Sequence, residues 1–203
     1  MRSLVPLATI LIVLATAAAA QDAHEYAPLE ERTITYKDWT FTSLADAKPV
    51  NLREWAKGKQ LVLVVYYAPW CGNWHFEAPV VARLHEKYKG HGFDVIAVNE
   101  YGSIDEARAF FAKTGGPAYT VVVESDDRAA RDKTTHYAYR EASGDDRNWG
   151  SPFNVFLEPA RLATEGDVLA EKVWVVGGEL VEADVEQFIR RRLNLDKASV
   201  PTR

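Results

Sequence analysis

The stretch LVLVVYYAPWCGNWHFEAP, residues 61–79, decides the fold. Its first seven residues, Leu61 to Tyr67, are all apolar or aromatic, so they read as a buried strand. Ala68-Pro69 breaks the run. Trp70 and Cys71 follow, and the next residues read as the first turn of a helix. Cys71 is the single cysteine of the chain. A thiol between a central strand and a helix N-terminus meets outward-pointing backbone N–H groups. The helix dipole there favours an anion, hence thiolate over thiol. No second cysteine is available for an internal disulfide.

Working outward, the helix after Cys71 is expected to run to about Lys89. Val80, Leu84 and Tyr88 recur at four-residue spacing on one face. Pro79 removes one backbone bond and should kink it. Gly90-His91-Gly92 ends it, and Phe93 to Val98 is a second apolar strand, completing a βαβ unit with a parallel pair. Ser103 with Glu106 is a capping-box signature for a further helix, which Gly115-Gly116 terminates. Tyr119 to Glu124 reads as a strand, 126–139 as a helix, and the charged run 140–148 as a solvated surface loop. Strands follow at Phe153 to Leu157 and Val168 to Val176. A closing helix carries Val181, Val185, Phe188, Ile189 and Leu193. Upstream, Thr33 to Thr42 holds one or two short strands, and Val50 to Trp55 a strand passing into a helical turn. This order is that of an α/β thioredoxin-like fold: a mixed central sheet flanked by helices, with an N-terminal extension and a central insertion.

The chain has 203 residues, 47% apolar and 26% charged, as expected of one globular domain. That domain is placed at 33–195, after a flexible lead-in at 21–32 and before a tail at 196–203. Residues 1–20 have a different character. Arg2 precedes an apolar run from Leu4 to Leu14, and Ala17 to Ala20 offers a small-residue cleavage site. This reads as a secretory signal peptide, placing the mature chain in an oxidising space such as a bacterial periplasm. The alternative is an uncleaved anchor, the only case in which a membrane is a partner. A net charge of −5 argues against nucleic acid.

These features resemble the TlpA/ResA-type extracytoplasmic thioredoxin-like family, whose signature after the central strand is W-C-x-x-C-x-x-E-x-P. Trp70, Cys71, Glu77 and Pro79 fall in register with it. Gly150-Ser151-Pro152 is similar to the family's cis-proline loop, which faces the active cysteine. The likeness covers roughly residues 36–193. It departs at Trp74, which stands where the family has its second cysteine. In the family the first cysteine attacks a substrate disulfide and the second resolves the mixed disulfide. A single chain without the second can perform only half of that cycle. A mixed disulfide, a sulfenic acid or resolution by an external thiol remains.

The resemblance implies catalytic roles for Cys71 as nucleophile and Glu77 as a buried proton relay. It implies peptide docking at Ser151 and Pro152. Trp74 either fills the space of the missing thiol or joins Trp70 in an apolar docking patch; a core position is the plainer reading. His75, four residues after Cys71, could share its helix face and contribute to a soft-metal site. That site would need a third ligand such as His136 or a carboxylate. No cofactor is implied. Partners are a protein or a small thiol or disulfide, and a dimer linked through Cys71 is open to a lone thiol. Three functions compete: a single-thiol exchange protein, a non-catalytic thioredoxin-fold binding module, and a periplasmic copper-handling protein.

Overall fold

The computed structural model describes residues 24–197. The segment read as a signal peptide, with residues 21–23 and 198–203, lies outside the described residues. Eight strands form one sheet in the order β1-β8-β7-β4-β5-β6-β2-β3. At its centre is β4 (Leu61–Tyr67), with every residue buried. Alternate side chains feed two cores: Leu61, Leu63, Val65 and Tyr67 on one face, Val62, Val64 and Tyr66 on the other. That two-sided burial is why the run shows no polar alternation. β4 pairs in parallel with β5 (Phe93–Asn99) and antiparallel with β7 (Phe153–Leu157). β5 pairs in parallel with β6 (Thr120–Val123), and β7 antiparallel with β8 (Val168–Val176). β2 (Thr40–Ser43) and β3 (Pro49–Asn51) widen the sheet beyond β6, and β1 (Glu30–Lys37) closes the other edge on β8. The mixed thioredoxin-like arrangement expected from the element order is the one observed.

Helix α1 (Leu52–Ala56) is short. Helix α2 (Gly72–Tyr88) starts immediately after Cys71 and runs through Pro79. Trp74, Val81, Leu84 and Tyr88 of α2 enter the first core. So do Ala107 and Phe111 of α3 (Ile104–Ala112), and Val185, Phe188 and Ile189 of α5 (Glu182–Arg192). The capping box of Ser103 and Glu106 is formed in full. Among the described residues no helix is long and apolar enough to cross a membrane.

Three expectations need correction. The lead-in is not free over its described part. β1 begins at Glu30, and Tyr26 already bridges to Glu179. The sequence hides this because an edge strand needs backbone partners rather than apolar side chains, and Glu30, Glu31 and Arg32 are exposed. The helix expected at 126–139 is displaced. Residues Arg128–Lys133 form 3-10 turns, and α4 spans Thr135–Ser143. Thr134 sets the start, its side chain accepting from the Tyr137 N–H, and left-handed Gly144 sets the end. The run 140–148 is therefore not simply a solvated loop. Arg140 is buried, and Asp145 pairs with both Arg140 (3.4 Å) and Arg147 (2.7 Å).

Replacing the cap by Thr134→Ala is expected to cost roughly 1 kcal/mol in urea denaturation. An unchanged midpoint would show that α4 is held by packing alone.

Candidate active site around Cys71

Cys71 is the N-cap residue of α2, in extended backbone. It is half-buried, and its thiol donates to the Ser151 carbonyl at 3.1 Å. The Ser151 hydroxyl oxygen accepts from the Ala68 N–H at 2.9 Å. One serine thus ties the end of β4 to the sulfur at the start of α2. The Ser151–Pro152 peptide bond is cis, and both residues are buried.

The loop carrying Ser151 is braced from below. Gly150 has φ +56°, and a Cβ there would lie 1.7 Å from Arg140 Nε, so a larger residue would collide with the guanidinium. Arg140 also donates to the Arg147 carbonyl, and Arg147 donates to the Pro152 carbonyl at 2.9 Å. His136 is fully buried. Its Nε2 lies 3.1 Å from the Gly150 carbonyl and its Nδ1 2.9 Å from the Tyr101 hydroxyl. A carbonyl only accepts, so Nε2 carries the hydrogen and Nδ1 accepts from the tyrosine. Burial, with Arg140 adding to it, lowers the His136 pKa to about 3, so the ring is neutral. Tyr101 in turn receives the Trp70 indole N–H (2.9 Å) and Arg128 Nε (3.1 Å) on its carbonyl. A closed ring of contacts therefore runs Trp70–Tyr101–His136–Gly150–Ser151–Cys71.

Trp70 is half-buried, edge-to-face with Trp149 at 5.2 Å and with the Arg128 guanidinium 4.7 Å over its ring. Trp74 does not join it. It is fully buried, 4.6 Å from the Tyr67 ring and 5.7 Å from Phe110, so it is core and not part of a docking patch. The helical phase decides this: three residues after the N-cap, the side chain turns inward onto the sheet. His75 does not turn toward the sulfur. It is exposed, and its Nε2 lies 2.7 Å from the Pro69 carbonyl, which directs it to backbone rather than to sulfur. Both nitrogens of His136 are engaged. Among the described residues no group of three His, Cys, Asp or Glu side chains could hold a metal ion, so Cys71 and His75 lack a third ligand.

Glu77 is buried, 1% exposed. Its Oε2 accepts from the Leu180 N–H (2.7 Å) and from Asn154 Nδ2 (3.2 Å), while Oε1 has no partner among the described residues. Burial pushes its pKa up to about 8, and the charge of Glu179 adds to this. The two donors and Arg147 oppose it. Glu77 lies three residues beyond Trp74 and six beyond Cys71, roughly 9 Å further along the helix axis than the cysteine. The sequence reading missed His136 as a brace, together with Arg140, Arg147 and Tyr101. Each acts across the fold on another segment, and no local pattern announces it.

A sequence model of the redoxin family matches residues 31–156. The chain belongs to the redoxin family. Solved structures of thioredoxin-family proteins match across most of their length. A secreted thiol-disulfide isomerase from Corynebacterium glutamicum is 18% identical, with 81% of this chain and 92% of that one covered and a TM-score of 0.55. A thiol:disulfide interchange protein from Chlorobium tepidum is 20% identical, with 80% and 97% covered and a TM-score of 0.54. A DsbF homologue from Corynebacterium diphtheriae is 17% identical, with 82% and 87% covered and a TM-score of 0.53. At these identities the likeness establishes the fold. A search of curated proteins finds no match. The redoxin chain thus has a thioredoxin-like fold, in line with the TlpA/ResA-type resemblance.

Two buried groups give the redoxin chain opposite pH dependences. Unfolded, Glu77 loses its proton near 4.5; folded, it keeps it to about 8, so its contribution to stability falls as pH rises across that window. Unfolded, His136 gains a proton near 6.5; folded, it does so only near 3, so its contribution falls as pH drops across that window. Each limb is worth up to about 1.4 kcal/mol per pH unit. Urea denaturation across pH should find the alkaline limb shallower in Glu77→Gln and the acid limb shallower in His136→Gln. Unchanged slopes would mean that neither group titrates as its burial requires. Trp74→Ala should cost about 3–5 kcal/mol by leaving a cavity; a cost below about 1 kcal/mol would contradict its core position.

Proposed function

We propose that this chain is exported by its N-terminal segment and exchanges disulfides through Cys71 alone, with an external thiol completing the cycle. The observation that carries this is the half-exposed Cys71 thiol at the N-cap of α2, bonded to the Ser151 carbonyl, with buried Trp74 in the place of a resolving cysteine. The carbonyl accepts from the thiol until the thiol gives its proton to solvent. The Cys71 thiolate then attacks one sulfur of a substrate disulfide. A new sulfur–sulfur bond forms to Cys71, the old one breaks, and the other sulfur departs as thiolate. A second, external thiol attacks the mixed disulfide and frees Cys71. Glu77 exchanges protons with the site, and Ser151-Pro152 with Trp70 forms the docking edge for the substrate peptide. The Ser151 carbonyl becomes available to that peptide once the thiol has given up its proton. The substrate is a protein or small-molecule disulfide in the periplasm.

The rival is a binding module using the same loop and Trp70. Incubation with oxidised glutathione followed by intact-mass measurement separates the two. The wild type is expected to gain one glutathione, released by excess dithiothreitol, and Cys71→Ser none. A wild-type protein that stays unmodified under conditions where free cysteine reacts would sink the exchange reading and leave the binding module.

A further inference from the structure

A strap and a turn, neither belonging to the elements that carry the thiol, meet beside Glu77. Residues 24–27 cross the turn that follows β8. The Glu179 N–H donates to the Glu25 carbonyl at 2.8 Å, and the Ala27 N–H to the Glu179 carbonyl at 3.3 Å. A Cβ on Gly178 would lie 2.3 Å from the Glu25 carbonyl oxygen, so only glycine admits the strap. The strap also supplies the partners of a buried side chain. Glu179 is 2% exposed; its Oε1 accepts from the Glu25 N–H at 2.8 Å and its Oε2 lies 2.7 Å from His24 Nδ1. The His24 ring packs on Phe76 of α2 at 4.5 Å, next in sequence to Glu77. The residue after Glu179, Leu180, gives its N–H to Glu77, and Asn154 bridges Glu77 Oε2 to the Gly178 carbonyl. One short turn thus presents a donor to Glu77 and, beside it, a second buried carboxylate.

We propose that Glu179, held as an acceptor by the N-terminal strap, is a positioning residue that keeps the proton on Glu77. This rests on the reading in which Glu77 serves the thiol site. Two carboxylates sharing a poorly solvated site favour one of them staying neutral. Glu179 has both oxygens satisfied from the strap, whereas Glu77 has an oxygen without a partner among the described residues. Glu179 is therefore the one suited to carry the charge. The other groups facing Glu77 are few. Arg147 opposes Glu179, but its charge is shared with Asp145 at 2.7 Å and Glu25 at 3.2 Å. Tyr119 faces Glu77 from the segment before β6, and Asn154 from β7. His24 acts on Glu77 only through Glu179.

The test is a direct titration of the Glu77 carboxyl by carbon-13 NMR in the full chain. Glu179→Gln removes the charge and keeps the size; it should lower the Glu77 midpoint by roughly one pH unit. His24→Gln removes the strap's ring and any cation there but keeps the Glu179 charge; the midpoint should hold or rise. A Glu179→Gln protein with an unmoved midpoint overturns the proposal. So does a fall in both variants, because that would mean the strap merely keeps water out. If Glu179→Gln does not fold, His24→Gln decides by the same sign, a held or raised midpoint supporting the proposal and a lowered one overturning it. The readout is Glu77 itself. An inert Cys71 in the glutathione experiment would therefore sink the exchange reading while leaving this result intact.

Discussion

Strand β4 has no exposed residue, and its burial on both faces constrains everything around it. A strand covered on both sides must have neighbours on both edges and helices or strands above and below. β5 and β7 supply the edges, and the two apolar clusters supply the faces. The chain leaves β4 at Ala68-Pro69 and enters α2 within a few residues, so Cys71 is fixed at the one place where the central strand ends and the helix begins. The Ala68 N–H is taken by Ser151 Oγ, and the Ser151 carbonyl takes the thiol. The site is therefore an extension of the core, and its geometry is only as firm as the packing of β4.

Much of what holds the proline loop against the sulfur is polar and buried. Buried polar groups are costly unless each finds a partner. Here Arg140, Arg147 and Asp145 pair with one another and with loop carbonyls, and His136 satisfies both its nitrogens between Tyr101 and Gly150. Among the described residues Arg140 Nη1, Asn154 Oδ1 and one oxygen of Glu77 are left without a partner. Burial favours the neutral acid at Glu77 and pushes its pKa up to about 8.

Trp74 stands where the resembled signature has its second cysteine, and the chain keeps the thioredoxin-like fold. Its position lies one turn into α2 and faces the sheet. An indole there packs on Tyr67 and Phe110. In the exchange reading proposed above, the second thiol comes from another molecule.

The fold was legible because its signals are local. The apolar run 61–67, the breaks at Ala68-Pro69 and at 90–92, and the capping box at Ser103 each act over a few residues. Cys71, Glu77, Ser151 and Pro152 were singled out by register with a familiar signature. Edge strand β1 and helix α4 were misjudged because charged residues look solvated until their partners are known. Which way Trp74 and His75 point, which carbonyl receives the thiol, and which residues brace the proline loop were not in the sequence pattern. Those depend on contacts between segments separated by tens of residues, such as Ala68 with Ser151 and Glu77 with Leu180. The sequence by itself determined the strand–cysteine–helix unit and the absence of a second thiol, because both follow from residue identity and short-range periodicity. Only the tertiary structure decided which polar groups were buried and paired, because burial is a property of the packed chain and not of any residue in it.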